Sequence, residues 1–341
     1  MNPKIQSFGE TLEFLASHDD FLVLSHFNPD PDAYGAQTAF HNLLLSLNKR
    51  SCLVNQDGAL DRYSAVPGID QVLSECPDSF SPRTLVYLDC GGRDRIGARV
   101  MTELQSKGYL SLPSLNVDHH ISNDHFGTVN FVDGDRSSTC EMVYELFEAL
   151  KVPLNAEGAF QLLCGIVGDT GSFRYPSTSP RTLRIAALLV EAGGDLAAVS
   201  QNVIAVYTES SLLLQANALL GIRRTDDGKI AGVIVREEDY QKFHANIIDT
   251  ENLAERVRDI QGVAIAYAIR AAGDVWKVSL RTSLETLDLS AVAASFGGGG
   301  HRAASAFRFR GELADLERAL LERLQKVLVA KAKEVTSRNK P

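Results

Sequence analysis

The sequence predicts an α/β protein with two domains, and three observations lead to that expectation. The chain has 341 residues, which is enough for two domains of about 150 residues each. In the first half, short apolar runs alternate with stretches of helical spacing, a pattern typical of a doubly wound, mostly parallel sheet. A turn at 225–228 then opens a second, smaller set of strands and helices. We expect a first domain over 1–190, a helical connector over 191–222 and a second α/β domain over 223–341.

The elements of the first domain follow from the spacing of its apolar residues. Short, continuously apolar runs predict strands over 21–25, 51–55, 84–88 and 115–117. Apolar residues three or four positions apart predict helices over 33–48, 138–150 and 156–168. Because the strands are apolar throughout and alternate with helices, we expect them to be parallel and covered on both faces.

The second domain is predicted in the same way. The pattern over 195–222 is helical, without proline and with one glycine near its end, which favours a rigid connector over a flexible linker. Apolar runs predict strands over 229–236, 262–270, 276–281 and 303–309. Helical spacing predicts helices over 252–259, 288–295 and 313–335. These elements are sufficient for a smaller α/β unit with a core of its own.

Composition and charge exclude several classes of protein. Apolar residues make up 45% of the chain and charged residues 23%, so disorder and fibrous repeats are excluded as global descriptions. The 34 basic residues are outnumbered by 43 acidic residues, for a net charge of −9. Proteins that coat long nucleic acids rely on Lys and Arg against phosphates, so this balance argues against that role.

The chain also lacks the patterns of export, membrane insertion and disulfide scaffolds. No uncharged apolar run approaches the roughly 18 residues that span a bilayer. Residues 1–20 carry Glu10, Asp19 and Asp20 without a signal-peptide pattern, so we expect a cytoplasmic protein. The five cysteines are scattered along the sequence, which predicts reduced, mostly buried thiols.

Reactive side chains gather where the predicted strands end. In an open parallel sheet the carboxyl ends of the strands form one crevice in which ligands bind, so residues from separate segments should meet there. The residues concerned are His26, Asp30 and Asp32 after strand 21–25, Asp89 after strand 84–88, Asp118, His119 and His120 after strand 115–117, and Asp169 after helix 156–168. Each segment alone is also explained by turn or helix-cap chemistry, but together they favour a functional site.

Two divalent cations would explain such a cluster. Carboxylates held close together repel one another, and bound cations relieve that repulsion. Aspartate oxygens and imidazole nitrogens without cysteine suit Mn²⁺ and exclude a thiolate zinc site. Two metals about 3.5–4 Å apart suit the in-line attack of a hydroxide on phosphorus. The cluster therefore predicts a site for displacement at phosphorus.

A second group of residues is suited to binding phosphate. Glycines allow close approach of the backbone to a ligand, arginines pair with phosphate oxygens, and helix N-termini attract anions. The candidates are Arg136, Ser137 and Ser138 before helix 138–150, Arg281 and Ser283 at the end of strand 276–281, and Gly298, Gly299, Gly300, His301 and Arg302 before strand 303–309. For each of these the alternative is structural: a helix N-cap, an exposed arginine at a strand end, or a flexible turn.

These motifs, in this order, resemble the DHH phosphoesterases that carry a DHH-associated C-terminal domain. The family takes its name from the triplet found here as Asp118-His119-His120. Further matches are His26-x-x-x-Asp30-x-Asp32-Ala33-x-Gly35, Asp89 with Arg95, Arg136 to Thr139 followed by Glu141, Gly168-Asp169-Thr170-Gly171-x-Phe173, and the loop Gly297–His301. The resemblance covers nearly the whole chain. The short length is similar to the stand-alone branch of nanoRNases and pAp phosphatases.

The resemblance implies a role for each group of residues. His120 would face the scissile phosphate, Asp118 would orient His119, and Asp89 would bridge two Mn²⁺ ions, with Mg²⁺ or Co²⁺ as alternatives. The six metal ligands would be His26, Asp30, Asp32, Asp89, His119 and Asp169. The phosphate-binding candidates of the second domain would hold the rest of the nucleotide across a cleft between the domains. The stand-alone relatives also imply a homodimer.

We therefore expect a Mn²⁺-dependent phosphodiesterase that degrades oligoribonucleotides of a few residues to mononucleotides, with pAp as a second candidate substrate. A rival among enzymes is a phosphodiesterase for cyclic dinucleotides such as c-di-AMP, or for the linear dinucleotides pApA and pGpG. A rival of another class is a nucleotide-binding regulator without activity. The acidic net charge is compatible with a short substrate, which needs few basic residues.

Overall fold

The computed structural model describes residues 3–204, 207–284, 286–300 and 302–338. The chain forms two compact units, which divide between residues 206 and 207. The residues predicted as a helical connector, 191–222, are therefore shared between the two units.

The first unit consists of a sheet and the helices that cover it. Its strands are β1 Phe21–Ser25, β2 Ser51–Val54, β3 Val72–Leu73, β4 Thr84–Leu88, β5 Ser114–Asp118 and β6 Val129–Val132. Its helices are α1 Pro3–Ser17, α2 Pro31–Ser46, α3 Ala98–Ser106, α4 Thr139–Ala149, α5 Ala156–Asp169, α6 Pro180–Glu191 and α7 Leu196–Val199, which continues into the π-helical turn Ser200–Ile204. Short 3₁₀ turns cover Asp61–Tyr63, Ile69–Gln71, Arg93–Ile96 and Tyr109–Ser111.

The sheet of the first unit is parallel throughout, as the sequence predicts. The strand order is β3-β2-β1-β4-β5-β6. The chain first adds β2 and β3 on one side of β1 and then adds β4, β5 and β6 on its other side, so the strand order reverses between β1 and β4. All five neighbouring pairs are parallel, and β4 pairs with β1 and β5 over most of its length. A crevice at the carboxyl ends of the strands forms at such a reversal. It lies beside the ends of β1, β4 and β5.

Strand β1 shows how the sheet separates two cores. Phe21 and Val23 pack into the larger core with residues of α2, α4 and α5. Leu22 and Leu24 point to the opposite face and pack into a smaller core with residues of α3. Successive side chains of a strand alternate between faces, so a continuously apolar strand requires cover on both sides.

Five elements of the first unit were not predicted from the sequence, namely β3, β6, α1, α3 and α6. Strand β3 has two residues, too few to show a pattern, and β6 carries the polar Asn130 in its middle. Helices α1 and α6 carry apolar residues at helical spacing and could have been predicted, whereas α3 has few apolar residues. The two short strands depend on pairing with their neighbours more than on their own sequence.

The second unit has a mixed sheet. Its strands are β7 Arg223–Arg224, β8 Ile230–Val235, β9 Ile265–Ala272, β10 Val275–Thr282, β11 Gly299–Gly300 and β12 Ala304–Phe309. Its helices are α8 Glu209–Leu220, α9 Glu237–Phe243, α10 Leu253–Arg258, α11 Ser290–Ala294 and α12 Leu313–Arg338. The strand order is β11-β12-β10-β9-β8-β7, with β8 and β9 parallel and the other pairs antiparallel.

The two faces of this second sheet are covered unequally. On one face, apolar residues of β9, β10 and β12 pack against Leu316, Leu320 and Leu324 of the terminal helix α12. On the other face, residues of α8, α9 and α10 pack against β8 and β9 and form a separate core. The described residues of β12 contribute to the first of these cores and to none on the second face.

No single helix in the described part of the chain is long and apolar enough to cross a membrane, although the bent pair Leu196–Ile204 and Glu209–Leu220 satisfies length and composition together.

Candidate metal centre

Three predicted segments meet because their strands are neighbours. β1, β4 and β5 lie side by side, and their carboxyl ends lead into His26, Asp89 and the triplet that starts at Asp118. Asp169 is the last residue of α5, and its carboxylate contacts His119 of the triplet. The structure thus brings together the four segments that the sequence analysis selected.

The orientation of His26 leaves one ring nitrogen directed at carboxylates. Its Nδ1 lies 2.9 Å from the carbonyl oxygen of Phe27, which can only accept, so Nδ1 carries the proton. Its Nε2 lies 3.4 Å from Oδ2 of Asp89 and 3.8 Å from Oδ1 of Asp30. A histidine whose other nitrogen is held in this way is prepared to bind a cation through Nε2.

Helix termini hold the two aspartates of the first motif. Asp30 is the N-cap of α2, and its Oδ1 accepts from the backbone N–H groups of Asp32 and Ala33 at 3.0 Å each. Asp32 is fully buried and accepts from the N–H groups of Thr139 and Cys140, at 2.7 and 2.9 Å. Those two groups belong to the first turn of α4, where unpaired N–H groups attract negative charge.

Asp89 lies at the centre of the cluster. One oxygen, Oδ2, is 3.4 Å from Nε2 of His26, and the other, Oδ1, is 3.5 Å from Nε2 of His119. Oδ1 also accepts from the hydroxyl of Thr139 at 3.1 Å. The backbone of Asp89 has φ of 58°, a left-handed conformation that Asp tolerates better than most residues. This conformation ends β4 and turns the buried side chain toward both histidines.

His119 carries a buried nitrogen without a hydrogen bond. Its Nε2 is within 3.1 Å of Asp169 Oδ2, 3.5 Å of Asp89 Oδ1 and 4.0 Å of Asp32 Oδ2. It makes no hydrogen bond with any described residue. A buried polar atom facing three carboxylates without a partner is what a cation bound among them would satisfy.

The ligand atoms fall into groups of a size that fits a metal ion. In each group the nitrogen and oxygen atoms lie within 4.8 Å of one another. The groups are His26 with Asp30 and Asp89, Asp32 with His119 and Asp169, and Asp89 with His119 and His120. Asp89 occurs in two of the groups, and the first two groups share no residue. The donor set, mixed carboxylate and imidazole without thiolate, is compatible with two divalent cations.

Neighbouring carboxylates raise the pKa of both histidines that face them, against the opposing effect of burial. Burial lowers the pKa of His26, but hydrogen bonds and negative charge from Asp30 and Asp89 outweigh it and raise the pKa well above its usual value. Burial also lowers the pKa of His119, but the nearby carboxylates of Asp169 and Asp89 outweigh it and raise the pKa well above its usual value. In the absence of a cation, protons on these imidazoles compensate the carboxylates.

The pKa values of the carboxylates in the cluster shift in different directions. Burial raises the pKa of Asp32 and repulsion from Asp89 and Asp169 raises it further, well above the usual value. Burial also raises the pKa of Asp169. In Asp89 burial is outweighed by the close imidazoles of His119 and His26, which hold the pKa well below its usual value. The low pKa favours the ionised form of the central carboxylate, whereas Asp32 and Asp169 need nearby positive charge to ionise with it.

Asp118 holds His120, whereas the family resemblance implied that it would orient His119. Its Oδ1 accepts from Nδ1 of His120 at 2.7 Å rather than from His119, and its Oδ2 accepts from Nδ2 of Asn123 at 2.6 Å. Burial lowers the pKa of His120, but the hydrogen bond to Asp118 and the charge of Asp89 raise it above its usual value. Asp118 therefore orients His120 and favours its protonated form. Asn123 was not among the candidate site residues, because a single asparagine outside any motif gives no indication of function in the sequence.

The segment before α4 is occupied by contacts within the protein. Ser138 is the N-cap of α4, and Ser137 donates from Oγ to Glu141 at 2.6 Å, with both serines buried. Arg136 pairs with Glu145 at 2.5 Å and with Asp133 at 3.1 Å. In this structure all three candidates have intramolecular partners. Phosphate binding by this segment stays a prediction.

Two backbone features near Asp32 were also missed by the sequence analysis. A Cβ placed on Gly165 of α5 would lie 2.1 Å from Oδ1 of Asp32, so α5 reaches the centre only because this residue is glycine. The N–H groups of Thr139 and Cys140 bind Asp32 across more than a hundred residues. Gly165 is recognisable in the sequence as a small residue within an apolar helix. No local pattern, however, indicates that the residue packed against it is Asp32.

The phosphate-binding candidates of the second unit lie near the ends of strands. Arg281, the residue before the last of β10, pairs with Glu255 of α10 at 2.6 Å, and Ser283, just after β10, is exposed. Arg302 is exposed, with Asp288 at 3.8 Å. His301 lies outside the described residues. These candidates remain predictions.

The glycines of the loop before β12 are required by their surroundings. A Cβ on Gly298 would lie 2.2 Å from the carbonyl oxygen of Ala306. Gly300 has φ of 128°, a conformation that other residues rarely adopt. Gly299 and Gly300 form β11, which pairs with Ala306 and Ser305 of β12. In place of the flexible turn that was the structural alternative for this loop, Gly299 and Gly300 form a short edge strand, and both are exposed there.

The first unit has a parallel sheet with a cluster of carboxylates and histidines at the carboxyl ends of its strands, and the second unit has a mixed sheet. This combination can be compared with known protein families. Residues 20–166 match the N-terminal domain of the DHH family, and residues 228–330 match the DHHA1 domain. The chain therefore contains a DHH domain followed by a DHHA1 domain.

Among curated relatives, the chain is similar to the bifunctional oligoribonuclease and PAP phosphatase NrnA of Thermus thermophilus. The two are 28% identical over 334 residues, which cover 98% of this chain and 95% of the relative. Among solved structures, an exopolyphosphatase-related protein from Bacteroides fragilis aligns with a TM-score of 0.86 at 24% identity, covering 96% of this chain and 98% of that one. RecJ from Thermus thermophilus, in complex with Mn²⁺, aligns with a TM-score of 0.54 at 12% identity, covering 98% of this chain and 55% of RecJ.

Proposed function

We propose that this chain is a metal-dependent phosphodiesterase that degrades oligoribonucleotides of a few residues to mononucleotides, and that it also removes the 3′-phosphate of pAp. The observation that carries the proposal is the pair of ligand groups around Asp89, one with His26 and Asp30 and the other with Asp32, His119 and Asp169. The curated relative that matches nearly the whole chain bears the names of both activities.

The six ligand residues of the centre are proposed to hold two divalent cations, with Asp89 between them. When bound, such cations supply charge stabilisation for displacement at phosphorus and a nucleophile at neutral pH. Mn²⁺ is the proposed metal, because imidazole and carboxylate ligands together suit it better than the all-oxygen surroundings that Mg²⁺ prefers. The RecJ structure of the same fold contains Mn²⁺, which supports this choice.

His120 is proposed to stabilise negative charge on the phosphate. Its Nδ1 is held by Asp118, so the ring is fixed, and Asp118 and Asp89 raise its pKa against the effect of burial and so favour the protonated form. A protonated imidazole fixed beside the ligand groups can donate to an oxygen of the phosphate as charge develops there.

Asp118→Asn tests this role through pH. The amide keeps an oxygen that accepts from Nδ1 but removes the charge that raises the pKa of His120. That pKa should fall, and the alkaline limb of the kcat–pH profile should move to lower pH by about one unit. Asp124→Asn, the same change at an exposed position six residues along the chain, is the control and should leave the profile in place. An unshifted profile in Asp118→Asn contradicts the role given to His120.

A substrate series tests the proposed function directly. Initial rates are measured with Mn²⁺ on a dinucleotide, a pentaribonucleotide, a long RNA, pAp, pGpG and c-di-AMP, with Asp89→Asn as the blank for contaminating nucleases. We expect kcat/KM on short linear RNA to exceed that on long RNA and c-di-AMP by about tenfold or more, equivalent to about 1.4 kcal/mol in the barrier. Preference for c-di-AMP over all linear substrates would favour the cyclic-dinucleotide reading. Binding without turnover of any substrate would favour a regulator.

A further inference from the structure

Two histidines of the centre lie at the start of a loop without regular structure. Strand β5 ends at Asp118 and β6 begins at Val129, and residues 119–128 between them form neither helix nor strand. The hydrogen bonds of the sheet therefore do not fix the backbone that carries His119 and His120. Side chains that act on a substrate must be held closely in place, so this loop requires an anchor of its own.

Asn123 lies within this loop and uses every hydrogen-bonding position of its side-chain amide. Its Nδ2 donates to Oδ2 of Asp118 at 2.6 Å and to the carbonyl oxygen of Cys90 at 2.9 Å. Its Oδ1 accepts from Nδ2 of Asn116 at 2.9 Å and from the backbone N–H of His125 at 2.8 Å. An amide has two donor hydrogens and two acceptor positions, so all of them are occupied.

The orientation of this amide is determined by its partners. The backbone N–H of His125 can only donate, so the atom that faces it is oxygen, and Nδ2 faces Asp118. Asn123 is 7% exposed, so solvent has little access to these bonds. Its backbone N–H donates to the carbonyl oxygen of His120 at 3.0 Å. Asn123 is therefore held at both backbone and side chain, close to His120.

Asn123 determines how Asp118 presents its carboxylate. Asp118 is fully buried, and its Oδ1 lies 2.7 Å from Nδ1 of His120 while its Oδ2 accepts from Asn123. The terminal torsion of an aspartate has a broad energy profile, so an external contact is needed to fix it. Because the two oxygens belong to one rigid group, holding Oδ2 also directs Oδ1 at the imidazole.

A second carboxylate lies close to the same imidazole. Oδ1 of Asp89 is 3.5 Å from Nδ1 of His120, compared with 2.7 Å for Oδ1 of Asp118. A ring that turned to Asp89 would occupy the carboxylate that belongs to two of the ligand groups. By fixing Asp118, Asn123 keeps His120 on Asp118 and leaves Asp89 to those groups.

The second N–H of the amide anchors it to the sheet. Cys90 directly follows Asp89, which ends β4, and its carbonyl oxygen accepts from Asn123 across 33 positions of the chain. One amide therefore joins the segment that carries Asp89 to the loop that carries His120. A turn formed by an asparagine requires only its Oδ1, which accepts from the N–H two residues further on. The two bonds from Nδ2 are not needed for the turn.

We propose that Asn123 is a positioning residue for phosphodiester hydrolysis, which fixes the carboxylate of Asp118 and, through it, the imidazole of His120. This inference rests on the proposed function. Asn123 does not take part in the reaction itself, because it is buried and its polar atoms are already bonded within the protein.

The kinetic test is a double-mutant cycle. At saturating Mn²⁺, Asn123→Ala should lower kcat on a short oligoribonucleotide by about 10–100-fold, the usual effect of removing an outer partner of a metal site, with KM little changed. In a His120→Ala background the same change should cause no further loss, because its effect passes through His120. Losses that multiply in the double variant would mean that Asn123 does not act through His120.

Two further variants complete the cycle. Asn123→Asp keeps the shape and both accepted hydrogen bonds, but a carboxylate cannot donate to Asp118, so it should reproduce the loss of kcat in a folded protein. Asn217→Ala is the matched control. Nδ2 of Asn217 donates to Oδ1 of Asp239 at 3.1 Å in the second unit, so this variant also loses a hydrogen bond from an amide to a carboxylate. It should leave kcat near wild type.

A measurement without turnover separates this inference from the proposed function. NMR of chelated protein with isotope-labelled histidine follows the proton on Nδ1 of His120, which is assigned by its absence in His120→Ala. The signal should persist in wild type and Asn217→Ala and be lost through exchange with water in both Asn123 variants. If this pattern is found but wild type hydrolyses nothing, the role of Asn123 stands and the proposed function falls. If wild type hydrolyses short RNA but the signal persists in both Asn123 variants, the positioning role is overturned.

Discussion

Asp89→Asn is expected to lower kcat by about a thousandfold or more. The asparagine loses one of the two charged oxygens through which Asp89 faces His26 and His119, at 3.4 and 3.5 Å, and so cannot serve both ligand groups. Losing metal-supported charge stabilisation costs several kcal/mol of barrier, which corresponds to that fold-change. The measurement is kcat on a short oligoribonucleotide at saturating Mn²⁺. Asparagine also tolerates the left-handed backbone at this position, φ 58°, better than alanine does.

The chain offers a close control for this variant. Asp20 is buried, is 3% exposed and has φ of 53°, and it pairs with Arg50 just before β1, at the opposite edge of the sheet. Asp20→Asn therefore makes the same chemical change in the same backbone conformation, away from the centre. It should reduce stability and leave kcat near wild type. If Asp89→Asn retained wild-type kcat, the central role of Asp89 would be wrong.

Removal of divalent cations should both abolish activity and destabilise the first unit. Asp30, Asp32, Asp89 and Asp169 converge on one place, and without cations only protons and the histidines offset their repulsion. A ligand present at 100 times its Kd stabilises the folded state by about 2.7 kcal/mol. For a unit that ends at residue 206, this corresponds to a rise in Tm of about 5–10 °C on adding Mn²⁺ to chelated protein.

Thermal unfolding of chelated protein, with and without Mn²⁺ at matched ionic strength, measures this effect. Asp20→Asn should gain as much from Mn²⁺ as wild type does, and Asp89→Asn should gain much less. The readout is independent of turnover, so it remains informative if the substrate is misassigned. Equal Tm values with and without Mn²⁺ in wild type would contradict the metal centre.

Local signals predicted much of the fold. The strands over 21–25 and 84–88 have the predicted bounds, because four or five consecutive apolar residues can only be buried on both faces of a sheet. Helix α2 begins at Pro31, two residues before the prediction, because Asp30 caps it. The two-residue strand β3 was not predictable, since its existence depends on pairing with β2 rather than on its own residues.

The residues of the centre could be selected from sequence, but their partners could not. Strand ends are recognisable locally, so His26, Asp89 and His119 were identified as candidates. Asp118 forms its hydrogen bond with His120. No sequence pattern indicates which of two adjacent histidines a nearby aspartate will contact, because their side chains point in different directions. The serines before α4 fitted a phosphate site equally well, yet both are buried with partners of their own.

By itself, the sequence determined the class of fold and the chemical character of the site. Apolar periodicity and turn chemistry are properties of neighbouring residues, so the parallel sheet and the reactive strand ends could be derived without the structure. Only the tertiary structure decided which strands are neighbours, that the first turn of α4 holds Asp32 from 107 residues away, and that Asn123 joins Asp118 to Cys90. Strand order and register depend on contacts between distant segments, which no local pattern encodes.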